Sequence, residues 1–182
     1  SAVSSPGAAK FDNLNNVPSA PVANNALSVD GVNGKASNTP AGAYNTQAFT
    51  VEAWAKVQAL AAGGAEIFSN GNSTGLRINS DGSLVFFAHN GAEVWSEYIV
   101  PDVNMKDNVW HHYAVTKDAS SVKIYIDTVL RGTFNTTQAV SYTLGSDFVL
   151  GQHGQGDPFF NLTGQIDEVR IWNVARTAAQ IQ

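Results

Sequence analysis

The chain has no cysteine, one methionine and few ionisable residues: Asp, Glu, Lys and Arg make up 14% of its 182 positions, against roughly 25% in an average soluble protein. Without thiols there is no disulfide framework, no thiolate metal site and no cysteine nucleophile, which removes several enzyme classes. Ten Lys and Arg against fifteen Asp and Glu leave a formal net charge of −5, so the clustered cations that nucleic-acid binding requires are missing. Long apolar runs are missing too. Each is broken by charge, Gly or Asn well before the roughly 18 residues of a membrane span, and the opening SAVSSPGAAK has no basic-then-apolar leader pattern, so membrane insertion is not expected. What remains is a surface of Asn, Ser, Thr and Gly, rich in neutral hydrogen-bonding groups, around 43% hydrophobic residues that suffice for one core.

Residues 1–25 contain Pro6, Pro18 and Pro21 among Ser, Ala and Asn, with no sustained periodicity, and read as a linker or strapped-down arm. A single domain follows over residues 26–182. Its short runs of Val, Ile, Phe, Tyr, Trp and Thr, punctuated by Gly, Asn and Asp, predict an antiparallel all-β domain. Strands are expected over Ala48 to Val57, Gly75 to Asn79, Ser83 to His89, Ala92 to Val100, Val109 to Lys117, Ser121 to Asp127, Phe148 to Gln152 and Gly164 to Asn173. In the first of these Phe49, Val51, Ala53, Ala55 and Val57 alternate with Thr50, Glu52, Trp54 and Lys56, so one face should be packed and the other more polar. Asp81-Gly82 and Asn90-Gly91 read as two-residue hairpin loops. A two-residue loop at Asn90-Gly91 would set Phe86 opposite Trp95 and Phe87 opposite Val94, one pair facing the core and the other the second side of the sheet. A helical turn is expected over Arg176 to Gln182, capped by Thr177.

The segments ALSVDGVNG, FTVEAWAKV, WHHYAVTKD, VKIYIDTVL and GQIDEVRIWNVART, in that order, resemble the laminin-G-like (LamG-like, pentraxin-related) domains of the concanavalin A-like lectin/glucanase superfamily over about residues 26–181. The resemblance implies a two-sheet antiparallel jelly-roll sandwich with its first and last strands adjacent, in a secreted or cell-surface module that binds glycans or proteins, often with calcium. Thr128 departs from the pattern, standing where relatives carry Gly in an Asp-Gly turn.

Calcium takes six to eight oxygen ligands, and the loop from Asp30 through Gly31, Asn33 and Gly34 offers carboxylate, amide and backbone oxygens. The resemblance implies that Asp30 and Asp167 meet across the first and last strands to share the ion, giving Asp30, Asn33 and Asp167 as metal candidates. The alternative is that Asp30 makes an Asx-type turn and Asp167 caps a strand edge. For a glycan, an exposed aromatic platform beside polar side chains is required. Trp95, flanked by Glu93 and Glu97, is one candidate, set against burial beneath a loop such as the 1–25 arm. The Gly-rich loop from Gly151 to Asn161, with His153, Gln155 and Asp157, is the other, set against a merely variable connection.

Catalysis finds little support. No E-x-D-x-E arrangement is present, and Glu93 and Glu97 would stand roughly 13 Å apart on an extended strand, beyond retaining-glycosidase spacing. His111 and His112 are strand neighbours pointing to opposite sides, which argues against a shared metal ion. Asn72, Asn135 and Asn161 open N-glycosylation sequons. The expectation is a non-catalytic, extracellular recognition module of a larger protein that binds carbohydrate or a cell-surface protein with calcium, or alternatively a spacer domain of an adhesin with no sugar ligand.

Overall fold

Alternation in the strands is turned into two facing sheets. The computed structural model describes residues 10–12 (backbone only), 25–38, 42, 44–92, 94–145 and 147–182. One sheet has seven strands in the order β1 (Lys10–Asp12), β2 (Ala26–Asp30), β13 (Leu162–Trp172), β4 (Phe49–Leu60), β9 (Trp110–Lys117), β10 (Ser121–Ile126) and β11 (Val129–Asn135). The other has six, in the order β3 (Ala36–Asn38), β12 (Phe148–Leu150), β5 (Ala65–Asn70), β6 (Thr74–Ile78), β7 (Leu84–His89) and β8 (Trp95–Val100). All pairings are antiparallel. The core lies between the sheets, with Val51, Ala53, Ala55, Val57, Tyr113, Val115, Ile124 and Ile166 from one and Phe68, Leu76, Ile78, Leu84, Phe86 and Tyr98 from the other. Each large side chain there contributes about 1.5–3 kcal/mol through burial.

The inward set expected for β4 is entirely buried. Its outward set differs from expectation: Thr50 and Glu52 are buried as well. The C-terminal segment lies across them, Thr50 Oγ1 donating to the Val174 carbonyl (2.8 Å) and the Arg176 guanidinium to Glu52 Oε1 (2.8 Å). Helix α1 (Ala178–Ile181) ends that strap with Thr177 at its N-cap and Gln180 completing a capping box, and it sets Ile181 against Ala114 and Tyr125. Among the described residues no helix is long and apolar enough to cross a membrane. Within the stretch read as an arm, Lys10–Asp12 pair with Ala26–Ser28 at the sheet edge; residues 1–9 and 13–24 lie outside the described residues.

The Asp127-Thr128 turn joins β10 to β11 as a two-residue loop with φ of 51° and 66°. This is the mirror-image turn that matches strand twist, and it forces a β-branched residue into the left-handed region. Thr128→Gly should therefore raise stability by about 1 kcal/mol, a rise of about 3 °C in Tm for a domain of this size. A melt that falls instead would show that Thr128 makes contacts worth more than its strain.

Candidate functional site: a pocket on the outer face of the six-stranded sheet

Leu76, Ile78, Leu84, Phe86, Tyr98 and Val100 point into the core, so the alternate residues Arg77, Phe87, Trp95 and Glu97 stand on the outer face of β6, β7 and β8. The loop between β12 and β13 folds over this face. It is tied at one end by Gly151 N–H donating to the Ile67 carbonyl (3.1 Å) and at the other by Asn161 Nδ2 donating to the carbonyls of Gly31 (3.2 Å) and Val32 (3.0 Å). In its middle Gly154 lies directly on Gly71, where a Cβ would come within 2.2 Å of the Gly71 carbonyl oxygen. Asp157 Oδ1 accepts from Phe159 N–H (2.9 Å) and, with Pro158 behind it, starts a single 3₁₀ turn, Pro158–Phe160. That turn brings the Phe160 ring to within 5.2 Å of the Arg77 guanidinium, whose other neighbour is the Phe87 ring at 5.5 Å.

Between loop and sheet is a pocket of about 350 Å³ lined by Glu66, Asn72, Arg77, Phe87, Trp95, Glu97, His153, Gln155, Asp157 and Phe160. The sequence candidates Trp95, Glu97, His153, Gln155 and Asp157 therefore converge, although 56 residues separate Glu97 from His153 in the chain (153 − 97). Glu93 lies outside the described residues. The indole of Trp95 keeps 37% of its residue surface open, donates from Nε1 to the Asn72 carbonyl (3.0 Å) and leans on the His89 ring (5.1 Å). Gln155 N–H donates to His153 Nδ1 (3.2 Å), which leaves the proton on Nε2 to donate to Asn72 Oδ1 (3.1 Å). Burial holds the His153 imidazole below its ordinary range; Asp157 works against this and Arg77 with it, so the ring stays neutral. Arg77 donates from Nε to Asn79 Oδ1 (2.9 Å) and forms an ion pair with Glu97.

The pairing of β7 with β8 corrects the hairpin expectation. Asn90 N–H donates to the Val94 carbonyl (3.0 Å) and Val94 N–H to the Gly91 carbonyl (3.1 Å), so the loop runs from Asn90 to Val94 rather than closing at Asn90-Gly91. Trp95 consequently faces His89, Glu97 faces Phe87, and Phe86 pairs with Tyr98 inside the core. Trp95 is outward as expected, with Phe87 and not Phe86 as its companion on that face.

Asp30, Asn33 and Asp167 do not assemble. Strands β2 and β13 are neighbours, but Asp30 pairs with Thr163, four positions along β13 from Asp167, a separation of roughly 13 Å. Asp30 Oδ1 accepts from the N–H groups of Val32 (2.9 Å), Asn33 (3.0 Å) and Gly34 (2.8 Å), the Asx-type turn. Asp167 Oδ1 accepts from Glu168 N–H (2.8 Å) where β13 bulges against β4. These residues do not fit a shared calcium site, and among the described residues no group of three or more His, Asp or Glu is placed to hold a metal ion. Of the sequon asparagines, Asn161 is buried and Asn72 belongs to the pocket wall.

His111 and His112 diverge, as strand neighbours must. His112 faces Glu52 (3.4 Å) and the Trp54 ring (5.5 Å), while His111 bridges Asp127 (2.7 Å) and Asp107 (3.0 Å). Burial acts to lower the His111 pKa, but the two carboxylates outweigh it and hold the imidazolium above its ordinary value of 6.5. A raised folded-state value stabilises the fold fully below the unfolded one and is lost as pH rises through the folded one. The Tm advantage of the wild type over His111→Gln should therefore be largest near pH 5.5 and shrink by pH 8.5. An advantage that grows with pH would show the sign to be wrong.

A laminin-G family model described as the concanavalin A-like lectin/glucanases superfamily matches residues 30–182. The chain belongs to that superfamily. No curated protein matches it. Solved structures similar to this concanavalin A-like domain include the binding domain of Paraclostridial Mosquitocidal Protein 1, with TM-score 0.72, 13% identity and coverage of 95% of this chain and 44% of that one, so the present domain spans less than half of that binding domain. Domain 4 of AbnA, an extracellular arabinanase from Geobacillus stearothermophilus solved with arabinotriose, has TM-score 0.69 and 21% identity, covering 95% of this chain and 79% of that one. The Ruminococcus gnavus IT-sialidase CBM40, bound to α2,3-sialyllactose, has TM-score 0.64 and 16% identity, covering 76% and 82%. At these identities the likeness establishes the concanavalin A-like sandwich itself.

Proposed function

We propose that the chain is a non-catalytic carbohydrate-binding module that works outside the cell as part of a larger protein, with the pocket under the 151–161 loop as its sugar site. The observation that carries this reading is the open indole of Trp95 set beside the amide, imidazole and carboxyl groups of Asn72, Gln155, His153 and Asp157. An apolar plate with a few convergent polar groups is what a sugar ring, with its C–H face and hydroxyl rim, requires. Similar sandwiches solved with arabinotriose and with sialyllactose support the ligand class, and one of them comes from an extracellular arabinanase. Of the three carboxyl groups that line the pocket, Glu66 is fully buried, Glu97 is paired with Arg77 and Asp157 caps the 3₁₀ turn, an arrangement that favours binding over a pair of open catalytic carboxyl groups.

The test is a glycan array probed with the isolated chain, followed by product analysis on each glycan retained. Saturable binding without cleavage is expected. Binding to no glycan would favour the spacer reading, and released oligosaccharide would make the domain an enzyme.

A further inference from the structure

Glu66 lies on the floor of the pocket with none of its surface exposed, and neither carboxyl oxygen has a hydrogen-bond partner. A buried polar group left in that state costs the fold of order 1–3 kcal/mol, which a bound molecule that pairs with it would recover. The donors around it are engaged elsewhere. Ser69 Oγ donates to the Gln152 carbonyl (3.2 Å), and Arg77 is directed to Asn79 and Glu97. The charged and titratable groups on the elements packed around Glu66 are Arg77 on β6, Glu97 on β8, and His153 and Asp157 on the loop. Burial pushes the Glu66 carboxyl up to about 8; the Arg77 charge and the nearby Ser69 hydroxyl, whose approach is too poorly aligned to count as a hydrogen bond, act against this and the Asp157 charge with it. At neutral pH the group is therefore a carboxylic acid with one hydroxyl hydrogen to give. One cation, Arg77, then stands against two carboxylates, Glu97 and Asp157, a formal lining charge of 1 − 2 = −1. The guanidinium is paired and flanked by Phe87 and Phe160, so it does not present an open fork to a carboxylate ligand.

We propose that this pocket takes an uncharged saccharide unit, that side chains covering Glu66 turn aside on binding so that one sugar oxygen accepts a hydrogen bond from its carboxylic acid, and that the pocket rejects sugars bearing a carboxylate. The inference rests on the carbohydrate-binding reading and can fail without it.

The experiment pairs neutral glycans with their acidic counterparts, lactose with 3′-sialyllactose and neutral with uronic-acid-bearing pentose oligosaccharides, on an array. Calorimetry on the tightest neutral glycan follows at pH 6 and pH 9, with the wild type, Glu66→Gln and Glu66→Leu. Neutral members should bind, and their acidic counterparts about tenfold more weakly or worse. Wild-type affinity should fall by about tenfold between the two pH values, since one unit above a pKa only about one carboxyl in ten keeps its proton. Glu66→Gln, which retains a donor without the titration, should hold the same affinity at both. Glu66→Leu should lose about tenfold while melting no lower than the wild type. Tighter binding of the acidic members, or a Glu66→Leu chain that binds as well as wild type, overturns the inference and leaves the carbohydrate reading intact. Binding of no glycan overturns both.

Discussion

Trp95→Ala should weaken saccharide binding by about 30-fold, close to 2 kcal/mol, the loss typical when a central aromatic anchor is removed. The indole is the open apolar surface of the pocket, held at an angle by its Nε1 bond to the Asn72 carbonyl and by the His89 ring. Truncation removes the plate and also releases the Asn72 segment to which His153 is bonded. Trp95→Phe should fall between wild type and Ala, because it keeps a ring and loses the donor. Ile99 supplies the control. It lies four residues further along β8 on the same face and is 43% exposed, but it is not part of the pocket lining. Ile99→Ala should leave affinity within about twofold. If titration calorimetry finds the two alanine variants equally impaired, or neither impaired, the sugar does not sit where the geometry puts it.

A large loss of stability from a single methyl group is expected at Gly164. This residue lies in β13 between β2 and β4, where the register with β4 slips by one residue. A Cβ there would stand 2.1 Å from the Lys56 carbonyl oxygen, which belongs to backbone and cannot swing away. Gly164→Ala must spread β13 from β4, the longest pairing of the sandwich, at a cost of about 3 kcal/mol and roughly 9 °C in Tm. Gly156→Ala separates contact from conformation: φ there is 79° and no atom lies within 4 Å of the added carbon, so only the left-handed backbone penalty of about 1 kcal/mol applies. Equal melts for the two variants would contradict the steric account.

Strand positions were legible in runs such as Phe49 to Val57, where apolar and polar residues alternate, but β11, exposed along most of its length, was not anticipated. β7 shows no alternation either, all six of its residues being buried, but its Val and Phe content and the Asp81-Gly82 and Asn90-Gly91 turns mark it as a strand; β5, equally buried, has a composition too mixed to do so, and AEIFSN was missed. Glu66, the least expected member of the site, lies in that strand. Arg77 was visible in GLRIN as a strand residue, but only the register of β6 against β7 and β8 shows that it shares a face with Trp95. Register is also where the other expectations went astray. Extending the loop from two residues to five shifts β8 by three, an odd number, and exchanges the faces of Phe86 and Phe87. The adjacency of β2 and β13 was foreseeable from the family resemblance; the four-residue offset of Asp30 from Asp167 depends on hydrogen-bond pairing that composition does not encode.

The anchoring of the 151–161 segment bears on the thermodynamics of recognition. Its ends are fastened to carbonyls of distant chain and its middle rests backbone on backbone against Gly71, so the wall of the cleft is in place before any guest arrives. A preorganised cleft spends little of its interaction energy on ordering itself, and association should be led by enthalpy with a small entropic penalty. The same construction lets specificity evolve by exchanging the eleven residues from Gly151 to Asn161 while the sandwich beneath is left alone.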